Sequence, residues 1–220
     1  MRKAKMLGLA LVAMFSMSAV MAAGASADTL TATQYPWTLT GTSDGEFKDT
    51  LTTTSGSVIC PHVVYHATIG APIPTGARIR VTVNYTDEGC TGFGFPGTVD
   101  MNGCEYSFGV LAGTAGDVDL ECAGANEVTM TARSAGILKC TVHVKTQTDI
   151  GGTVKYTNIA GGQVTVEANL TGIDYTHTQG TGLGSCPSGS ATNGTLVAKA
   201  IFSAESDGPP YSPYSTLFSS

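Results

Sequence analysis

Apolar and polar residues alternate with a period of two along much of this 220-residue chain, and this constrains its fold more than any other feature. In residues 77–86, for example, Ile79, Val81 and Val83 alternate with polar side chains. Successive side chains of a β-strand point to opposite faces, so such a segment predicts a strand with one buried face. Similar segments recur along the chain, divided by glycine, asparagine, aspartate and serine clusters, and they predict about ten to twelve strands. The fold class that follows is all-β.

An antiparallel β-sandwich is the architecture that this pattern favours, as one or two packed sandwiches of Ig-like or jelly-roll-like type. In residues 164–170 the apolar side chains stand at even-numbered positions, whereas the next apolar side chains, Ile173 and Tyr175, stand at odd-numbered positions. Gly172 lies between the two sets, so we expect a β-bulge there that absorbs the shift.

Asn102-Gly103 is the strongest local turn signal. Both residues tolerate the positive φ that a type I′ turn requires, which predicts a two-residue β-hairpin. The expected register pairs Met101 with Cys104 and continues outward along both flanking segments.

Residues 1–27 have the pattern of a secretory signal peptide. Three basic residues precede an apolar stretch at 6–23, and a small-x-small motif at 25–27 follows. The sequence therefore predicts an exported chain, although the apolar stretch is also near the length of an uncleaved membrane anchor. Residues 28–205 are expected to form the β-sandwich domain, and the proline-containing segment 206–220 a flexible tail.

The charge balance excludes a basic nucleic-acid binder. The formal net charge is -6, the pI is about 5.0, and no run of lysine or arginine occurs beyond the first five residues. No second apolar run reaches membrane-spanning length, so we expect no membrane span after signal cleavage. A cell-envelope or extracellular polymer is the kind of partner that this balance allows.

Six cysteines in an exported chain predict three disulfides. No C-x-x-C motif is present, which argues against zinc ribbons and redox centres. A Cys122–Cys140 bridge would place Asp119 beside His143 on adjacent strands, unless a strand at 128–133 intervenes. The expected pairs are Cys90 with Cys104, Cys122 with Cys140, and Cys60 with Cys186.

No motif supports catalysis or metal binding. Ser43 occupies a G-x-S-x-G pattern, but the polar segment after it lacks helical spacing, so a glycine-flanked turn is favoured over a nucleophile. His62 and His66 would stand about 13 Å apart on a strand and could not share an ion. We expect no catalytic residue, no cofactor and no metal.

Acidic and aromatic clusters are the remaining candidates for function. Asp117, Asp119 and Glu121 line one face of a predicted strand, where a solvated acidic face is favoured over a calcium site. The aromatic residues near turn-rich segments could stack on sugar rings, although burial in the core is favoured. These possible ligand contacts are Trp37, Phe93 and Phe95.

Three stretches resemble a group of uncharacterised secreted, disulfide-containing all-β bacterial proteins with no established activity. They are residues 85–104 (YTDEGCTGFGFPGTVDMNGC), residues 170–176 (LTGIDYT) and the segment 186–195. The resemblance implies secretion, β-structure and paired cysteines, and it brings no functional residue with it.

Together these observations predict a secreted or cell-surface β-sandwich protein without catalytic activity and with a binding or structural role. Two alternatives stay open. One is a secreted hydrolase that acts on polysaccharide through two of the scattered acids, and the other is a carbohydrate-binding module that uses Trp37.

Overall fold

The structure is a computed structural model, and it describes most of the chain beyond the predicted signal peptide. Residues 1–27 lie outside the described part, so the signal prediction is untested. The described residues are 29–31, 37–43, 46–71, 73–74, 76–85, 89–109, 115–159, 163–182, 185–206, 213–214 and 217–219.

Seventeen antiparallel strands make up the described regular structure, which confirms the all-β prediction. None of the described residues forms a helix with the length and hydrophobicity needed to cross a membrane. The strands are β1 (Thr29–Thr31), β2 (Trp37–Ser43), β3 (Asp49–Thr53), β4 (Gly56–Cys60), β5 (Val63–Ile69), β6 (Arg78–Tyr85), β7 (Thr91–Gly92), β8 (Phe95–Asp100), β9 (Cys104–Gly109), β10 (Ala115–Cys122), β11 (Val128–Ser134), β12 (Ile137–Val144), β13 (Gln147–Ile159), β14 (Gln163–Gln179), β15 (Gly189–Ser206), β16 (Pro213–Tyr214) and β17 (Leu217–Ser219).

Twelve of these strands lie end to end in pairs, and each pair forms one long, interrupted strand. We call each such pair a composite strand. The six composite strands are β2 with β3, β4 with β5, β6 with β7, β8 with β9, β10 with β11, and β12 with β13. Adjacent composite strands pair along both halves: β3 pairs with β4, for example, while β2 pairs with β5. The long strands β14 and β15 complete a set of eight.

The sheet closes on itself through β15. One edge of β15 pairs with β14, and the other edge pairs with β2 near its end and with β3 nearer its start. Closure removes the free edges that would otherwise invite pairing with other chains. The composite strands follow one another as a meander, whereas Ig-like and jelly-roll sandwiches contain Greek-key connections. That finer expectation is therefore not confirmed.

All six composite strands are interrupted at about the same height, which we call the waist. The bulge in β14 lies at this level: Gly172 has a φ of 76°, and the register shifts between Thr171 and Ile173. The predicted bulge is thus confirmed. The even-parity residues before it and the odd-parity residues after it all face one continuous apolar core.

The predicted Asn102-Gly103 hairpin is wrong. Both residues have positive φ, at 49° and 74°, and the Cys104 N–H donates to the Met101 carbonyl over 2.7 Å, as the turn signal predicts. The flanking strands nevertheless separate, because β8 pairs with β7 and β11 while β9 pairs with β6 and β10. The turn bends one composite strand at the waist instead of reversing the chain.

Three disulfides are present, as predicted, but the expected pairing is wrong. Strand β10 has β9 and β13 as neighbours, so Cys122 lies opposite Cys104, and Asp119 does not meet His143. Strands β4 and β7 pair next to Cys60 and Cys90, which brings those two sulfurs together. The bridges are Cys60–Cys90, Cys104–Cys122 and Cys140–Cys186.

Two short strands lie in the segment predicted to be a tail. Strand β16 pairs with the end of β15, and β17 pairs with β1 in a separate two-stranded sheet. The flexibility of residues 206–220 stays a prediction.

Candidate ligand-binding groove

Side chains replace missing backbone hydrogen bonds at the waist. The Ser43 hydroxyl, at the end of β2, accepts a hydrogen bond from the Val63 N–H and donates one to the Pro61 carbonyl, each over 3.1 Å. It bridges two composite strands, which is a structural role. Strand β2 extends through Ser43, so this serine itself is not in a turn, and residues 44–45, the rest of the expected turn, lie outside the described residues.

Gln147 makes the same kind of bridge between β13 and β14. Its amide nitrogen donates to the Asp174 carbonyl and its amide oxygen accepts from the Asp174 N–H, each over 2.8 Å. On that edge, β14 pairs with β13 up to Thr171 and with β12 from Thr176. The Gln147 side chain thus fills the gap that the waist leaves in the hydrogen-bond ladder.

A surface groove of about 380 Å³ lies at this gap. It runs across the junction of β12 and β13, the middle of β14 and the start of β15, and its volume is within the range of small-molecule sites. Buried Tyr175 borders it, and most of the other lining residues are of polar type, although apolar atoms supply the larger part of the lining surface. The lining residues are His143, Lys145, Thr146, Gln147, Asp174, Tyr175, Thr176, Ser190, Ala191 and Thr192.

Several polar groups of the groove are already paired within the protein. The Thr146 hydroxyl accepts from the Cys122 N–H over 3.0 Å, and the hydroxyls of Thr176 and Ser190 are 3.1 Å apart. His143 Nδ1 lies 2.6 Å from Glu127 Oε1, a close contact that does not have hydrogen-bond geometry.

Three polar side chains of the groove have no partner among the described residues: Lys145, Asp174 and Thr192. All three are exposed. The groove therefore offers a free cation, a free carboxylate and a free hydroxyl beside a pair of hydroxyls. This arrangement supplies both donors and acceptors to a polar ligand.

The acidic face of β10 is paired with arginine. Arg78 contacts Asp117 over 2.8 Å and Asp119 over 2.9 Å, and the Asp149 N–H donates to Asp119 over 2.7 Å. Asp119 is buried, so the expectation of a solvated face does not hold there. The Asp117, Asp119 and Asp149 carboxylates lie within 4.8 Å of one another, but the Arg78 guanidinium already neutralises part of their charge. A cation would have to compete with it.

The aromatic residues singled out in the sequence lie away from the groove. Phe93 and Phe95 are partly buried against the core, and neither lines the groove. The Phe93 and His177 rings form a T-shaped pair at a centroid distance of 5.8 Å. The Trp37 side chain lies outside the described part, so its role as a ligand contact stays a prediction.

His177 is the histidine that the sequence gave no reason to select. It is buried, and its ring nitrogens lie 3.1 Å from the Thr53 hydroxyl and 3.3 Å from the Ser55 hydroxyl. Burial lowers the pKa of His177 below its usual range. His66, in contrast, is exposed on β5, and neither it nor His62 belongs to a described group of side chains that could share an ion.

Sequence reasoning missed the groove residues because no local motif marks them. Lys145, Gln147 and Asp174 come together only at the junction of β12 and β13, the two halves of one composite strand that both pair with β14. The single sequence signal near this point is the parity shift at Gly172, which locates the interruption but does not indicate a site.

Comparisons of the chain with protein-family models, with curated proteins and with solved structures find no match. The resemblance noted from the sequence therefore stays a prediction.

Proposed function

We propose that this chain is a secreted or cell-surface protein without catalytic activity, and that it binds a polyhydroxylated ligand in the groove at the waist. The observation that carries this proposal is the set of free polar groups at Lys145, Asp174 and Thr192 in a recess of about 380 Å³. The three disulfides support an oxidising environment outside the cytosol. In this proposal, opposite walls of the closed sheet pack as the two layers of the predicted sandwich.

The chemistry of the groove favours a neutral, hydroxyl-rich ligand such as a segment of an extracellular polysaccharide. A carboxylate accepts hydrogen bonds from sugar hydroxyls, and an ammonium group donates to them. Because one free cation and one free carboxylate lie in the same groove, their charges offset each other and give a strongly charged ligand of either sign no net attraction. Exposed hydroxyls at Thr176, Ser190 and Thr192 extend the same hydrogen-bonding surface.

A binding role fits the groove better than hydrolysis does. Glycoside hydrolysis uses two carboxyl groups that flank the scissile bond, and Asp174 is the one acid among the lining residues. The groove does not supply the second carboxyl group of that mechanism. We therefore keep the carbohydrate-binding alternative in the proposal, but we assign the binding site to the groove and not to Trp37.

Isothermal titration of the full chain with xylan, soluble starch, mannan and chitin oligosaccharides tests the proposal. We expect one of these to bind, and we expect Asp174→Ala and Lys145→Ala each to weaken the Kd about tenfold, the effect of losing a charged hydrogen bond. Glu105→Ala and Lys155→Ala remove an acid and a lysine outside the groove and should leave the Kd unchanged.

Two results would overturn the proposal. One is the absence of binding to all four polysaccharides, or binding that the groove variants leave unaltered while circular dichroism shows them folded. The other is the release of reducing sugars that a single carboxylate substitution abolishes, which would show catalysis.

A further inference from the structure

A carboxyl group lies inside the closed sheet. Asp49, at the start of β3, is only 4% exposed. The Tyr65 hydroxyl, from β5, donates a short hydrogen bond to Asp49 Oδ2. The second oxygen, Oδ1, is buried and has no hydrogen-bond partner among the described residues. An unpaired buried oxygen is costly, because it has lost its hydrogen bonds to water.

Two internal cavities meet at Asp49. Their volumes are about 30 Å³ and about 20 Å³, and Asp49, Tyr85 and Tyr106 line both of them. The hydroxyls of Tyr85 and Tyr106 are 3.3 Å apart. A water molecule needs roughly 10–15 Å³ of such space and two to four polar partners, so each cavity has room for a water molecule. Both are far smaller than a small-molecule site, which measures roughly 300 Å³ or more.

Among the described residues that line these cavities, no basic side chain balances this acid. Its polar neighbours are Tyr65 from β5, Tyr85 from β6 and Tyr106 from β9, and every other residue that lines the two cavities is apolar or, as Cys60, disulfide-bonded. Burial raises the pKa of Tyr106 to about 12 and raises the pKa values of Tyr65 and Tyr85 well above the usual range. The three hydroxyls therefore stay protonated and neutral.

We propose that Asp49, Tyr85 and Tyr106 form an internal water-binding site in which a water molecule hydrogen-bonds to Asp49 Oδ1, and that ionisation of this carboxyl destabilises the closed sheet. The geometry supplies the unpaired oxygen, the space beside it and two hydroxyls on separate strands. A water molecule that joins these groups satisfies Oδ1 and links β3 to β6 and β9 through the interior of the waist.

The sign of the pH dependence follows from burial. Desolvation raises the pKa of Asp49 from 3.8 to about 7, and the hydrogen bond from Tyr65 opposes part of this rise. Between these two pH values the folded chain keeps a proton that the unfolded chain has lost, so stability falls as pH rises. Through Asp49 alone, the equilibrium constant for unfolding should increase about tenfold per pH unit, or about a thousandfold across the window, and this contribution appears as the difference between wild type and a variant that cannot ionise at residue 49.

Urea denaturation of the full chain between pH 4 and pH 8 tests the linkage. We expect Asp49→Asn to remove the increase, because the amide has the same shape and does not ionise. Glu105→Gln, at a partly exposed acid outside the cavities, should retain the wild-type dependence. The difference between wild type and Asp49→Asn isolates this group from the titration of His177, which both proteins share. Equal pH slopes in wild type and Asp49→Asn would overturn the linkage.

A crystal structure at high resolution tests the water site separately. We expect ordered density within hydrogen-bond distance of Asp49 Oδ1 in wild type and beside the amide in Asp49→Asn, and none in Asp49→Leu, whose side chain is apolar. If Asp49→Leu does not fold, the wild type and Asp49→Asn still decide the question. Cavities free of density in both of those proteins would refute the water site.

Discussion

Removing the Cys104–Cys122 bridge gives the most direct energetic test of the corrected disulfide pattern. The two residues are directly opposed in the β9–β10 ladder, with their Cα atoms 4.0 Å apart at the waist. Four further residue pairs continue this ladder as far as Val118 and Phe108. We therefore expect Cys104→Ala/Cys122→Ala to keep the native fold, so that the loss of stability reflects the unfolded chain.

The magnitude follows from the length of the closed loop. The bridge joins residues 18 apart, and the chain-entropy relation gives about 3 kcal/mol for a loop of that length. For a domain of this size, such a loss lowers Tm by about 6–12 °C. Cys140 and Cys186 are 46 residues apart, so the corresponding double variant should lose about 4 kcal/mol.

Urea denaturation at a fixed pH measures both losses, with the m-value fitted separately for each protein because an unfolded chain without the bridge is less compact. A loss below about 1 kcal/mol for Cys104→Ala/Cys122→Ala would refute the argument from chain entropy. Peptide mapping of the oxidised protein provides an independent check, because a fragment that links Cys90 to Cys104 would contradict the pairing itself.

Two further predictions concern backbone packing and pH. Gly152→Ala should lower the free energy of unfolding by roughly 3 kcal/mol or more, because a Cβ atom would lie 2.1 Å from the Asn169 carbonyl oxygen and the backbone φ is 117°. Gly189 has open space around it, so Gly189→Ala should change this free energy by no more than about 0.5 kcal/mol. Thermal unfolding measures both. Because the pKa of His177 is lowered, the unfolded chain binds a proton first, so this group lowers stability as pH drops below about 6.5, opposite in sign to the contribution of Asp49. In the Asp49→Asn background, stability should therefore fall with pH in this range; adding His177→Gln should remove that fall from the denaturation curves, and an unchanged profile would assign the effect elsewhere.

Local patterns in the sequence predicted local structure correctly. The alternating segment 77–86 contains strand β6, and Ile79, Val81 and Val83 are buried as predicted. A strand with one buried face has an apolar residue at every second position, so its sequence shows this period. The parity shift around Gly172 became a bulge for the same reason. These features depend only on residues that are close in sequence and on which face of the strand is buried.

Predictions that needed to know which strands are adjacent were wrong. Asn102-Gly103 adopts the expected backbone, but positive φ at two residues fixes a bend and not the partner of each strand. The disulfide pairing was wrong for the same reason, since Cys122 could be matched to Cys140 or to Cys104 until the neighbour of β10 was known. Strand order is a long-range property, and no short motif in this chain encodes it.

The waist explains why polar groups collect where the sequence shows no motif. Where six composite strands are interrupted and β14 bulges at one level, backbone groups lose their ladder partners, and each must find another because unpaired polar groups are costly. Ser43 and Gln147 meet this need on the surface, where the interruption leaves a groove, and Asp49 lies at the same level in the interior. The proposed ligand site and the proposed water site are thus two consequences of one feature, the coincident interruption of the strands. Ligand binding in the groove and proton binding at Asp49 still depend on different residues, so the two experiments can succeed or fail independently.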